Sequence, residues 1–155
     1  MGHSTVRNIL HCVFAVKKRL QLLPPDIRPA LFARILSIVE IRYPRCGILA
    51  VNGVGDHTHI LLELHQSVLL QDIMRDVKAR SSSFLNELNM GSGRFAWQSG
   101  YAAFGCRYEG IEVVADYIER QEAHHQEEDF LDEYIRLLRE NGIDYYNLHP
   151  DDRLV

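Results

Sequence analysis

The chain has 155 residues, 46% of them hydrophobic, with three cysteines and 17 Lys and Arg against 21 Asp and Glu. These proportions exclude a low-complexity or disordered polymer and fit one domain with its own core. No apolar run nears the ~18 residues that cross a membrane, and no signal peptide pattern opens the chain, so the expectation is a soluble, cytoplasmic protein.

Charge is unevenly spread. Residues 1–108 carry 13 Lys and Arg against 7 Asp and Glu, whereas residues 109–155 carry 4 against 14. A polyanionic partner would be met by the first part, and the acidic remainder reads as solvated surface. Cys12, Cys46 and Cys106 are widely separated and odd in number, which predicts reduced core thiols and excludes a disulfide or zinc framework.

In chain order, Met1 to Ser4 read as a start or cloning remnant, and Arg7 to Val16 is a mostly apolar strand ending in the basic cluster Lys17, Lys18 and Arg19. After the Leu22–Asp26 loop, Pro29 suits a first helical turn. Leu31, Ile35, Ile38 and Val39 follow at helical spacing, and Tyr43-Pro44 stops the helix. Arg45 to Val54 is a second strand, turning at Gly53 to Gly55 into a third that begins Asp56-His57-Thr58-His59.

Ser67 is placed to cap a second helix with Leu70, Ile73, Val77, Phe84 and Leu88 as its buried stripe and Arg75, Lys78 and Ser82 on another face. Asn89 to Gly100 reads as a mobile, glycine-rich loop with Phe95 and Trp97. Tyr101 to Tyr108 is a fourth strand. A third helix spans about Ile111 to Gln126, with Ile111, Val114 and Ile118 inward. The last helix starts after Asp129, buries Leu131, Tyr134, Ile135 and Leu138, and ends at Asn141-Gly142. The string predicts an α+β, ferredoxin-like split βαβ sheet with helices on one face, as one domain over 1–155 with a core of about 7–128 and a C-terminal helix and tail over 129–155.

Within the third strand, residues two apart share a face about 6.5 to 7 Å apart. His57 and His59 can therefore grip one ion together, with Leu61 on their face and Thr58, Ile60 and Leu62 on the other. Taken alone, the pair divides between that reading and two ordinary histidines at a strand start.

Gly-Asp-His57-Thr-His59-Ile-Leu-Leu resembles the HUH motif (His, bulky hydrophobic, His) of the single-tyrosine transposases of small bacterial insertion sequences, although Thr58 is less hydrophobic than the pattern prefers. The blocks around Val77–Leu85, Phe95–Phe104 and Tyr117-Ile-Glu-Arg-Gln121-Glu-Ala-His124-His125 are similar to later blocks of that family, in the same order, so the resemblance spans about residues 7 to 146. It implies cutting and rejoining of single-stranded, hairpin-bearing DNA ends with Mg or Mn in use, and a two-fold homodimer with Tyr117 supplied in trans across the Glu109-Gly110 hinge.

Residue chemistry agrees with the resemblance. An ion held by imidazoles polarises a phosphodiester oxygen, and Gln121 offers an amide oxygen as a third ligand to it. Tyr117 offers a phenol that attacks phosphorus and stores the bond as a phosphotyrosine. His124 and His125 are two more candidate ligands, although surface or helix-end positions suit both better. For DNA contact the candidates are Lys17, Lys18, Arg19, Arg75, Lys78, Arg80 and Arg94, with Trp97 either a stacking platform or a core anchor. The competing readings are a nickase or replication initiator of the same chemistry, a non-catalytic ferredoxin-like nucleic-acid binder, and a metal hydrolase built on the histidine pair alone.

Overall fold

The computed structural model describes residues 2–88 and 93–154. Its elements run β1 (Ile9–Ala15), α1 (Arg28–Arg42), β2 (Gly47–Gly53), β3 (His57–Glu63), α2 (Leu70–Glu87), β4 (Ala102–Cys106), α3 (Ile111–Glu119), α4 (Gln121–His124) and α5 (Phe130–Glu140), joined in places by single 3-10 turns. The strands pair antiparallel in the order β2-β3-β1-β4, which is the expected split βαβ arrangement.

Every residue of β1 except half-buried Leu10 is buried, because helices cover both faces of the sheet and not one face as the pattern predicts. Cys12, Phe14 and Val16 point into a core with Leu31 and Ile35 of α1 and Ile73 and Val77 of α2. Val13 and Ala15 point the other way, against Phe130, Tyr134 and Leu137 of α5. Ile9 and Leu61 meet Ile118 of α3 on that second face. A strand sandwiched in this way reads as a continuous apolar run, and this one does.

α1 buries Leu31, Ile35, Ile38 and Val39 with Pro29 in its first turn, as expected. α2 starts at Leu70 with Leu69 as its cap, because the Ser67 hydroxyl bonds His65 Nδ1 at 2.7 Å instead. Its buried face is Ile73, Met74, Val77, Ser81 and Leu85, which leaves Leu88 exposed and Phe84 half-buried. At the β2–β3 turn a Cβ on Gly53 would lie 2.3 Å from the His57 carbonyl oxygen, so the hairpin closes only over glycine.

Part of the expected Asn89–Gly100 loop lies outside the described residues. Its later part is built into the sheet edge: Val16 bridges Trp97, and Gln98 N donates to Ala15 O at 2.8 Å. The expected single helix over 111–126 breaks at Arg120 (φ −95°, ψ 21°). There Asn52 Nδ2 of β2 donates to the Glu119 carbonyl at 2.9 Å, taking an acceptor at the helix end.

α5 is capped by Asp129, which accepts from Asp132 N at 2.9 Å, and ends before Asn141 and Gly142 (φ 75°). It buries Phe130, Glu133, Tyr134, Leu137 and Leu138, a face rotated from the predicted Leu131, Tyr134, Ile135 and Leu138. That rotation carries a carboxylate inward. Cys12 and Cys46 are buried free thiols, Cys106 is half-buried and also free, and burial pushes Cys12 up to about 12. Among the described residues no helix is long and apolar enough to cross a membrane.

Candidate active site

β3 presents His57 and His59 on the face covered by α3 and α5, both with no solvent exposure. Their Nε2 atoms converge on one atom: Glu133 Oε1 lies 3.0 Å from each. His125 Nε2 reaches the same oxygen at 3.1 Å. Gln121 Oε1 is 3.2 Å from His57 Nε2, while Gln121 Nε2 donates to Glu133 Oε2 at 3.0 Å. The His57, His125 and Glu133 donor atoms lie within 4.8 Å of one another, a spread that one cation could span.

The other ring nitrogens are also held. His57 Nδ1 is 2.7 Å from Asp56 Oδ1, and His59 Nδ1 is 2.8 Å from His11 Nε2. A ring that gives its Nδ1 hydrogen to such a partner keeps its Nε2 lone pair for a metal. The donor set of imidazole nitrogens, a carboxylate and an amide oxygen fits a divalent cation on ligand chemistry.

Burial works against charge on all of these groups, and partners decide the balance. For His57 burial is outweighed by Asp56 and Glu133, and its pKa is raised. For His59 burial wins over Glu133 and its pKa is lowered. His11 is lowered to about 3 by burial and by the neighbouring His59. Glu133 is buried too, yet His125, His57 and His59 hold it far below the usual carboxylate range. The carboxylate is ionised among imidazoles.

Tyr117, on α3, points its hydroxyl into this cluster and donates to Glu133 Oε2. Its ring centroid lies 6.0 Å from that of His59 in the same chain. Arg136 Nη2 donates to the Tyr117 oxygen at 2.8 Å. Burial and Glu133 push the phenol up, and Arg136 opposes them. A cleft of about 320 Å³ opens on one side of the phenol, lined by His11, Phe104, Val113 and Arg136 among others. The structure thus brings His57, His59, Tyr117 and Gln121 together, although the break at Arg120 puts the last two on separate helices.

Sequence reasoning missed Glu133, His11 and Arg136, and it favoured a surface or helix-end role for His125 over that of a ligand. His125 is nearly buried, with its ring centroid 4.6 Å from that of His57. His124 tilts over the Tyr117 ring at 4.5 Å. The signal for Glu133 was available: it stands at an apolar position of α5, three after Phe130 and four before Leu137.

Trp97 is a core anchor and not a stacking platform. Its Nε1 donates to Ser81 Oγ at 2.9 Å and its ring packs on Phe14 and Phe95. Lys78 is a strut, donating to the Gln98 and Gly100 carbonyls at 2.7 and 2.6 Å. Arg75 pairs with Asp72 and Asp76. Lys17, Lys18, Arg19, Arg80 and Arg94 are exposed, and Lys18 and Arg19 take the left-handed backbone (φ 60° and 55°) at the end of β1.

The model of the family "Transposase IS200 like" matches residues 4–121. A solved structure of a REP-associated tyrosine transposase bound to a REP hairpin is similar in fold, with a TM-score of 0.59 at 15% identity, covering 99% of this chain and 92% of that one. A protein from Deinococcus radiodurans R1 whose structure carries a transposase assignment gives a TM-score of 0.59 at 20% identity, over 78% of this chain and 96% of that one. No curated protein matches the chain. At such identities the two structures speak for the fold alone, whereas the family match covers well over half of the 155 residues, and His57, His59, Tyr117 and Gln121 all fall within it. The chain belongs to the IS200-like transposase family.

Proposed function

We propose that this transposase cuts and rejoins single-stranded, hairpin-ended DNA through a 5′-phosphotyrosine on Tyr117. The observation that carries the reading is the convergence of His57, His59, Gln121 and the Tyr117 hydroxyl on the two oxygens of Glu133. His57, His59 and Gln121 would hold a divalent cation, Mn or Mg, with His125 and Glu133 as further donors. When bound, that ion supplies Lewis-acid polarisation of the scissile phosphate. Tyr117 forms the new O–P bond, the P–O3′ bond breaks, and the DNA keeps a free 3′ hydroxyl while its 5′ phosphate stays on the protein.

Support for the substrate class comes from the exposed cations Lys17, Lys18, Arg19, Arg80 and Arg94 and from the hairpin held by the REP-associated transposase of like fold. That likeness, over nearly the whole chain, also favours a second reading: a repeat-associated nickase with the same tyrosine chemistry. A homodimer with Tyr117 in trans is the family expectation. The geometry of the single chain favours cis, since Tyr117 already lies beside its own His59.

The test is a labelled single-stranded hairpin DNA incubated with Mn²⁺. Wild type should form a covalent adduct that mass spectrometry places on Tyr117, Tyr117→Phe should bind without forming it, and His57→Ala or His59→Ala should lose cleavage. Cleavage with no protein attached would leave a metal hydrolase, and an adduct on Tyr101 or Tyr108 would name another nucleophile.

A further inference from the structure

We propose that Arg136 is a catalytic residue of strand transfer, binding the Tyr117 oxygen and the scissile phosphate together; this rests on Tyr117 being the nucleophile. The contact exists already, with Nη2 2.8 Å from the phenol oxygen and the guanidinium carbon 5.4 Å from the ring centroid. Most of the rest of the fork is held, which leaves the second Nη1 hydrogen for a phosphate oxygen. Glu128 accepts from Nη2 at 2.5 Å and from Nε at 3.4 Å, and Glu140 accepts from Nη1 at 3.2 Å. A planar guanidinium fixed by carboxylates on its other nitrogens is pre-oriented, so little is lost in ordering it when phosphate arrives.

Two clefts flank the phenol. One, of about 320 Å³, lies toward His11 and Phe104, and the other, of about 520 Å³, toward His124, Glu127 and Glu128. Tyr117 and Arg136 line both. A strand whose phosphorus comes within bonding reach of the Tyr117 oxygen therefore meets Arg136 from either side. As the Tyr117 O–P bond forms and the P–O3′ bond breaks, negative charge gathers on the phosphoryl and leaving oxygens. The phenol proton goes to water and the 3′ oxygen takes one from water, so the step consumes none. A guanidinium already on the attacking oxygen stands beside the phosphoryl oxygens and offsets the part of that charge that develops on them.

The experiment measures adduct formation in Mn²⁺ on a labelled hairpin strand and on the same strand with a neutral methylphosphonate at the scissile position. Arg136→Ala should slow adduct formation on the phosphodiester by roughly 100- to 1000-fold, the range for loss of one charge-stabilising donor. Arg136→Lys should recover part of the rate, and the methylphosphonate should remove most of the difference between wild type and Arg136→Ala. A wild-type rate in Arg136→Ala, or an equal deficit on both substrates, overturns the proposal. If Arg136→Ala fails a circular-dichroism check of folding, Arg136→Gln takes its place with the same expectations. An absence of any Tyr117 adduct in wild type overturns the nucleophile reading, and this inference falls with it.

Discussion

His11 Nε2 lies 2.8 Å from His59 Nδ1 across the β1–β3 pair, with the two rings stacked at 5.1 Å between centroids. An imidazole on the back of a candidate ligand fixes its ring orientation, and losing such a partner costs about 10- to 100-fold in metal affinity. His11→Ala should weaken Mn²⁺ binding by that factor in titration calorimetry, with cleavage recovering at saturating Mn²⁺. Unchanged affinity would show that His11 only fills space.

Glu133 meets three imidazoles through one oxygen, and its side chain is fully buried. Removing one member of a buried charged network strands the others, at a cost of about 3 to 5 kcal/mol. Glu133→Ala should lower stability by that order in urea unfolding of the metal-free chain. Added Mn²⁺ should restore part of the loss by binding the freed nitrogens.

Far from the site, Asp76 of α2 accepts from Tyr43 Oη at 2.6 Å and from Arg42 Nε at 3.0 Å, tying the end of α1 to α2. The Tyr43 hydrogen bond, with Arg42, holds the Asp76 carboxyl below its ordinary value of 3.8. A carboxyl depressed in the folded state gives stability that is present above the unfolded pKa and is lost as pH falls through the folded one. Tyr43→Phe should therefore destabilise the chain at pH 7 by about 1 kcal/mol, with the gap to wild type closing below pH 3.8. Urea midpoints at both pH values check it, and a gap that widens in acid would contradict it.

Lys17, Lys18 and Arg19 are exposed at the end of β1, whereas Lys78 is spent on backbone carbonyls. Neutralising the first three should weaken hairpin binding and flatten its salt dependence, with a slope change of about 0.7 to 0.9 for each phosphate left without its cation. Lys78→Met should act through stability instead, leaving the salt slope near wild type. The reverse pattern in fluorescence anisotropy would move the DNA to the α2 side.

Mixing a His57→Ala/His59→Ala chain with a Tyr117→Phe chain separates the two assemblies. If Tyr117 acts in its own chain, the mixture stays inactive after subunit exchange, as the short Tyr117 to His59 distance favours. Restored cleavage would establish exchange of α3 between copies.

Strand order and the histidine face were legible in the chain because apolar runs and glycine turns are local signals, and the His57 and His59 spacing needs only the two-residue period of a strand. The coverage of both sheet faces was not. It depends on α5 folding back over Val13, Ala15 and Phe104, far away in sequence. From its glycine-rich surroundings Trp97 divides between stacking platform and core anchor, and the bridge to Val16, the Ser81 bond and the Phe14 and Phe95 rings decide for the core. The α5 face was misjudged through Glu133: a charged residue scores as solvent-facing unless its partners are known, and those partners, His57, His59 and His125, lie on β3 and past the Arg120 break. Glu133, His125 and Arg136 also fall beyond the residues that the family model matches.

The position of α5 sets an order on synthesis. Domains are made from the N-terminus at a few residues per second, and what has emerged begins to fold before the rest exists. When residue 128 leaves the ribosome the sheet, both β3 histidines, Tyr117 and Gln121 are outside, but the carboxylate that all of them share has not yet emerged. Until α5 follows, Val13, Ala15 and Phe104 face water. A nascent chain stalled there would carry every residue of the family motif on a sticky, unfinished sheet, and the eleven residues of α5 convert it into a closed site.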